Sequence, residues 1–265
     1  MSRPNARDEK GAASPDDAAD ALRRAQDHFA AHDYAAAIAI WLPLAQQGIA
    51  RAQGSIGVCL IAGLGAEADA ETGVRWLQAA AAQGDAEAQR HLADAYFKGE
   101  GAPESEVDAE LWYRRAAEQG DAASQDMLSW MLASGDTREP DYAGALAWAG
   151  KAAAQGIAAS MTRIGLLYHN ALGVERDVAY ALACWSKAAR LGDGDAQAML
   201  GAACHLGQGM PRDGVQAYAW LRRARRNQSR LAENFIYAVR ASLDEEQIAQ
   251  AEALADQPLD AEGSA

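Results

Sequence analysis

The chain has 265 residues, half of them hydrophobic, and sets 37 acidic against 24 basic side chains for a formal charge of -13. Such an excess of carboxylates repels nucleic acid and anionic membrane, so the expected partner is a protein or peptide, with no nucleic acid and no membrane. The apolar content leans on alanine rather than β-branched residues, and there are only seven prolines, which makes an all-α chain the expectation.

Residues 1–16 carry charges but no apolar stretch of the signal-peptide kind and read as a disordered tail. No later segment approaches the ~18 uninterrupted apolar residues of a membrane span, so the expected location is cytoplasmic. Residues 17–49 read as a helical hairpin cap, with "AHDY" as its turn and Trp41 near its end. From residue 50 to 228 the chain repeats itself without gaps at a period of 36 residues. One glycine recurs at Gly48, Gly84, Gly120, Gly156 and Gly192, and the next step lands on Gln228. An aromatic column holds Trp76, Trp112, Trp148 and Trp220, with Cys184 as the exception and Trp185 beside it.

Each repeat reads as two helices. The first carries a stripe that pairs an apolar residue with a small one, Ile56-Gly57, Leu92-Ala93, Leu128-Ser129, Ile164-Gly165 and Leu200-Gly201. Four residues ahead of each pair stands another small residue, Ala52, Ala88, Ser124, Ser160 and Ala196, which lets a neighbouring helix approach closely. Paired loop glycines, Gly63/Gly65, Gly99/Gly101 and Gly207/Gly209, suit a helix end that needs positive φ. Asp69, Asp141, Asp177 and Asp213 then stand where they cap the second helix. Residues 229–257 read as C-terminal capping helices, with Ser242 and Glu245 opening the last one, and 258–265 as a second disordered tail.

These columns resemble the Sel-1-like repeat family, relatives of the tetratricopeptide repeats. The resemblance implies a right-handed α/α superhelical solenoid of about six helix pairs, with the first helices lining its concave side. Two loops depart from the pattern: Thr137 and Pro140 stand where a second glycine is usual, and Ala171 replaces a first glycine. Cysteine-rich members of the family have been linked to β-lactam binding. This chain has only Cys59, Cys184 and Cys204, without metal-ligand spacing, so neither that activity nor a disulfide or zinc site is expected.

Candidate chemistry is sparse. His28 and His32 stand four residues apart on an expected helix, but no third metal ligand lies near. His169 and His205 share a column in adjacent repeats, on helices ~10 Å apart. His91 has no evident partner. Arg222, Arg223, Arg225, Arg226 and Arg230 form either an anion patch or a basic last turn that complements the helix dipole, and the second is favoured. No nucleophile, phosphate-loop or dinucleotide motif occurs.

Half a turn away from the core stripe, the first helices present Arg51; Glu87, Arg90, Asp94 and Phe97; Asp126 and Trp130; Leu166 and His169; and His205. Charges mixed with aromatic anchors mark this as the expected partner-binding face. The reading is a monomeric, non-catalytic scaffold or adaptor of a bacterial cytoplasm, with no cofactor and no metal. The alternatives are a dedicated inhibitor of one enzyme or toxin and, more weakly, a hydrolase using His169 and His205.

Overall fold

The computed structural model describes residues 15–134 and 139–259. The ends of both expected tails, and Thr137 of the third repeat's loop, lie outside the described residues. Among the described residues there are fourteen α-helices, one 3-10 turn and no strand. The chain divides into two compact units, Met1–Asp121 and Ala122–Ala265.

In the first unit α1 (Pro15–Ala30) pairs with α2 (Tyr34–Gln46), α3 (Ala50–Ala62) with α4 (Ala70–Ala82) and α5 (Ala86–Lys98) with α6 (Glu106–Glu118). In the second, α7 (Ala122–Ser134) pairs with α8 (Tyr142–Ala154), α9 (Ala158–His169) with α10 (Val178–Arg190) and α11 (Gly194–Leu206) with α12 (Gly214–Arg226). A 3-10 turn (Arg230–Ala232), α13 (Glu233–Ala241) and α14 (Glu245–Asp256) close that unit, with α13 and α14 packed on α12. Within each unit the second helix of each pair packs on the first helix of the next, and the fold class is the α/α solenoid.

Local chemistry sets the helix ends. Asp69, Asp141, Asp177 and Asp213 each accept a hydrogen bond from the backbone three residues on, as the spacing leads one to expect. The last helix starts two residues later than Ser242 implies. Asp244 is its cap and Gln247 closes the capping box, while the Ser242 hydroxyl donates to the Val239 carbonyl at the end of α13. His32 is likewise not helical: α1 ends at Ala30, and His32 sits in the turn with φ 62 and its ring 2.7 Å from the Tyr34 hydroxyl. The glycine column has φ near +90 at all five positions, and Gln228 and Ala171, which stand in glycine columns, hold φ 62 and 56.

Packing depends on two facing columns. Position 57 and its counterparts are Gly57, Ala93, Ser129, Gly165 and Gly201; the second helices present Leu77, Tyr113, Ala149, Trp185 and Leu221, all buried. A Cβ at Gly57 would lie 2.8 Å from Leu77, and one at Gly165 only 2.3 Å from the Trp185 indole nitrogen. Where the second helix offers only Ala149, Ser129 fits and donates to the Ala145 carbonyl at 2.7 Å. Large against glycine and small against serine keep the density constant.

Trp185 thus belongs to this inner column and does not substitute for a displaced member of the aromatic one. Trp76, Trp112, Trp148 and Trp220 are only half-buried, so the aromatic column lies at the edge of the core and not within it. Three of them carry a cation from three residues on: Arg115 lies 4.4 Å from the Trp112 ring centre, Lys151 3.7 Å from Trp148 and Arg223 5.0 Å from Trp220. Cys59 and Cys204 are buried small hydrophobes, and burial pushes both thiols up to about 11.

Candidate partner-binding face

In the first unit the seam between α3 and α5 opens into two clefts that share Val58 and His91. One, of about 390 Å³, lies against Phe29 and is edged by Arg51, Ser55 and Glu87. The other, of about 650 Å³, is edged by Ile61, Ala62, Asp94 and Lys98. Small residues make this seam possible: Gly54 is buried, and a Cβ there would lie 3.2 Å from that of Ala88.

The walls are ionic. Arg51 pairs with Glu87 and stands 3.8 Å from Asp85, whose other task is to cap α5 at Ala88. Arg90 lies 3.5 Å from Asp121 and 3.8 Å from Asp94. Tyr113 of α6 donates its hydroxyl to Asp94 Oδ1 at 2.5 Å. His91 sits at the centre: Nε2 is 3.2 Å from Arg90 Nη2 and 3.8 Å from Glu87 Oε1, and Nδ1 is 3.6 Å from Asp94 Oδ2.

Protonation follows from these distances. Contact with His91 first, and the Arg51 charge after it, outweigh burial and hold the Glu87 carboxyl down at about 2. Burial opposes a charge on His91, yet the facing Asp94 and Glu87 carboxylates win and leave it more basic than an ordinary imidazole. Burial raises Asp94 while His91 and the Tyr113 hydroxyl lower it, and the net direction is down. Burial and the neighbouring Asp94 make the Tyr113 phenol harder to ionise.

Each expected site residue has a definite place. Glu87, Arg90 and Asp94 come together around His91, all three within about one helical turn of it, and Arg51 joins the group through Glu87. Phe97 is half-buried at the end of α5. In the second unit Asp126 accepts from Ser160 at 2.5 Å and from Arg163 at 2.6 Å. This bond couples α7 to the start of α9, whose own cap position is Ile157 and makes no side-chain bond. Thr162 and Ala198, from the same column as Gly54, Arg90 and Asp126, are buried, so this column lies at the seams between repeats. Trp130 is 39% exposed, and Leu166 packs against the α9–α10 core. His169 stacks 5.3 Å from Trp185 with Nε2 3.3 Å from the Gln208 side-chain oxygen, and the His205 carbonyl accepts from Arg212.

The arginine run has a structural occupation. Arg222 pairs with Glu252 and Arg226 with Asp256, and the Arg223 and Arg226 guanidiniums donate to the Leu254, Gln257 and Ala255 carbonyls that end α14. The run therefore caps a different helix from the one that carries it. Among the described residues no group of three His, Cys, Asp or Glu side chains is placed to hold a metal ion, and no helix is long and apolar enough to cross a membrane.

A stack of 36-residue helix pairs with variable first-helix faces defines an α-helical repeat protein. The Sel1 repeat matches residues 50–85, 86–121, 122–157, 158–193 and 194–229, and the chain belongs to the Sel1 repeat family. Two solved structures are similar over 90% of this chain. One is c5321 of uropathogenic Escherichia coli, described as a protective antigen displaying an SLR fold, at 30% identity and a TM-score of 0.83. The other is a Sel1 repeat protein of Oxalobacter formigenes, at 29% identity, a TM-score of 0.81 and 97% coverage of that chain. The match covers 52% of the c5321 chain, so this chain spans about half the length of that protein. No curated protein matches the chain.

Proposed function

We propose that the chain is a non-catalytic binding module that holds a segment of a partner protein against its first-helix faces. Sel1 repeats generally mediate protein interactions. The observation that carries the reading here is the pair of adjoining clefts along α3 and α5, apolar at Val58 and Ile61 and ionic at Glu87 and Asp94. A groove already formed in the free protein binds without the cost of ordering itself. A photo-crosslinking amino acid at Ser55, inside the seam, tests it against one at Glu118, on the second-helix side. A protein partner that crosslinks from position 55 and not from 118 supports the reading; crosslinking from 118 alone moves the site off this face and rejects it.

A further inference from the structure

Two carboxylate oxygens in the α3–α5 groove take no short hydrogen bond and meet their cations only at ion-pair distance. Glu87 Oε2 takes Arg51 and Asp94 Oδ1 takes Tyr113, but the cations near Glu87 Oε1 and Asp94 Oδ2 stand at 3.6 to 3.8 Å, beyond hydrogen-bond reach. These two side chains are 46% and 32% exposed, so both oxygens belong to carboxylates that a ligand can approach. The two clefts are lined by four carboxylates, Asp85, Glu87, Asp94 and Glu100, against the cations Arg51 and Lys98 and the imidazole of His91. The chain as a whole adds a charge of -13, which draws cationic partners and disfavours acidic ones.

We infer that the occupant of this groove is a basic, partly apolar segment of a partner protein. Its lysine or arginine heads donate to Glu87 Oε1 and Asp94 Oδ2, and apolar side chains beside them cover Val58 and Ile61. The inference rests on the reading of the groove as the binding face and adds the chemistry of what binds there. A guanidinium or ammonium supplies donors that can come closer to these oxygens than His91 stands, in a site partly shielded from water where a charge-assisted bond is stronger than at an open surface. An acidic segment would meet this excess of carboxylates and be disfavoured.

The test uses a phage-displayed library of random twelve-residue peptides selected on the intact protein, with the best peptide then labelled and titrated. Peptides in which lysine or arginine adjoins apolar residues should be enriched. Their affinity should fall by about tenfold or more in the Glu87→Gln/Asp94→Asn variant, fall as sodium chloride rises, and be lost in Val58→Gln/Ile61→Gln. Circular dichroism checks that each variant keeps its helicity, and Glu87→Gln alone, at a half-exposed side chain, serves if the double variant unfolds. Enriched peptides that need Val58 and Ile61 but carry no basic residue, or ignore the carboxylate changes, would overturn the inference and leave the groove reading standing. Binding indifferent to all these variants would overturn both, and a library with no enriched peptide would refute recognition of a short basic segment.

Discussion

Gln83, the last residue before the recurrent glycine of its repeat, donates its side-chain amide to Gln53 Oε1 at 2.7 Å, thirty residues back. Gln53 is buried and passes its own amide to the Ala45 carbonyl of the preceding hairpin at 3.1 Å. The same bond recurs from Gln119 to Gln89, Gln155 to Gln125 and Asn227 to Gln197. In the fourth repeat the two columns hold Met161 and Leu191, so both polar partners are absent together.

That exception sets the first prediction. Gln83→Leu alone leaves the buried Gln53 acceptor unpaired and should cost about 1–3 kcal/mol, whereas Gln53→Met with Gln83→Leu should cost less than the sum of the two single changes. Urea unfolding of the two single variants and the double variant measures the coupling. Strict additivity would refute it.

Positive φ at two residues that carry a Cβ sets the second. Ala171 at φ 56 and Gln228 at φ 62 occupy columns otherwise held by glycine. Ala171→Gly and Gln228→Gly should each stabilise by about 0.5–1 kcal/mol, because relief of left-handed strain exceeds the entropy that glycine restores to the unfolded chain. The reverse change, Gly84→Ala at φ +92, meets no atom within 4 Å, so its loss of stability would be a pure backbone cost. Thermal melts of the three variants should move in these opposite directions.

The groove should titrate. Glu87 is held at about 2 in the folded protein, so its ionised form contributes stability above its unfolded pKa, and that contribution is lost as pH falls toward 2. His91 is raised, so its protonated form contributes below the ordinary imidazole value of ~6.5 and the contribution disappears as pH rises through its folded pKa. The groups that decide this are Glu87, Arg90 and Asp94 on α5, with Arg51 of α3 acting through Glu87 and Tyr113 of α6 through Asp94. His91→Gln should therefore lower the melting temperature more at pH 5.5 than at pH 8. Glu87→Gln should do the reverse, costing more at pH 7 than at pH 3.

The C-terminal helix should depend on an arginine outside it. Arg223→Ala removes donors from the Leu254 and Gln257 carbonyls and uncovers Trp220, so α14 should open more readily by about 1–3 kcal/mol. Hydrogen exchange would show faster exchange over Glu245–Asp256 while α3–α6 keep their protection. Uniform acceleration through both units would contradict this local role.

The aspartate caps and the left-handed glycines were legible because each is satisfied within a few residues of its own position. The glutamine columns are equally periodic, but a polar column does not by itself say whether it faces water or a buried partner thirty residues away. His91 could have been placed too, since Glu87, Arg90 and Asp94 stand at i-4, i-1 and i+3 on its own helix, although Tyr113 comes from another. The aromatic column shows the limit. Trp76 and Leu77 are adjacent in sequence and equally periodic, but the 100° between them sends one to the rim of the stack and the other into it.

By itself the sequence determined the helix pairs, their caps and the family, because a period kept through five units records contacts that every repeat makes with its neighbours. Tertiary structure alone decided depth and charge pairing: Trp185 against Gly165, the arginine run against the end of α14, and the Tyr113 hydroxyl against Asp94. Those relationships join positions 19 to 34 residues apart whose side chains meet only after the helices have packed. Repetition encodes the frame in every copy, whereas each groove contact is written once and acquires its meaning from the neighbour that packing supplies.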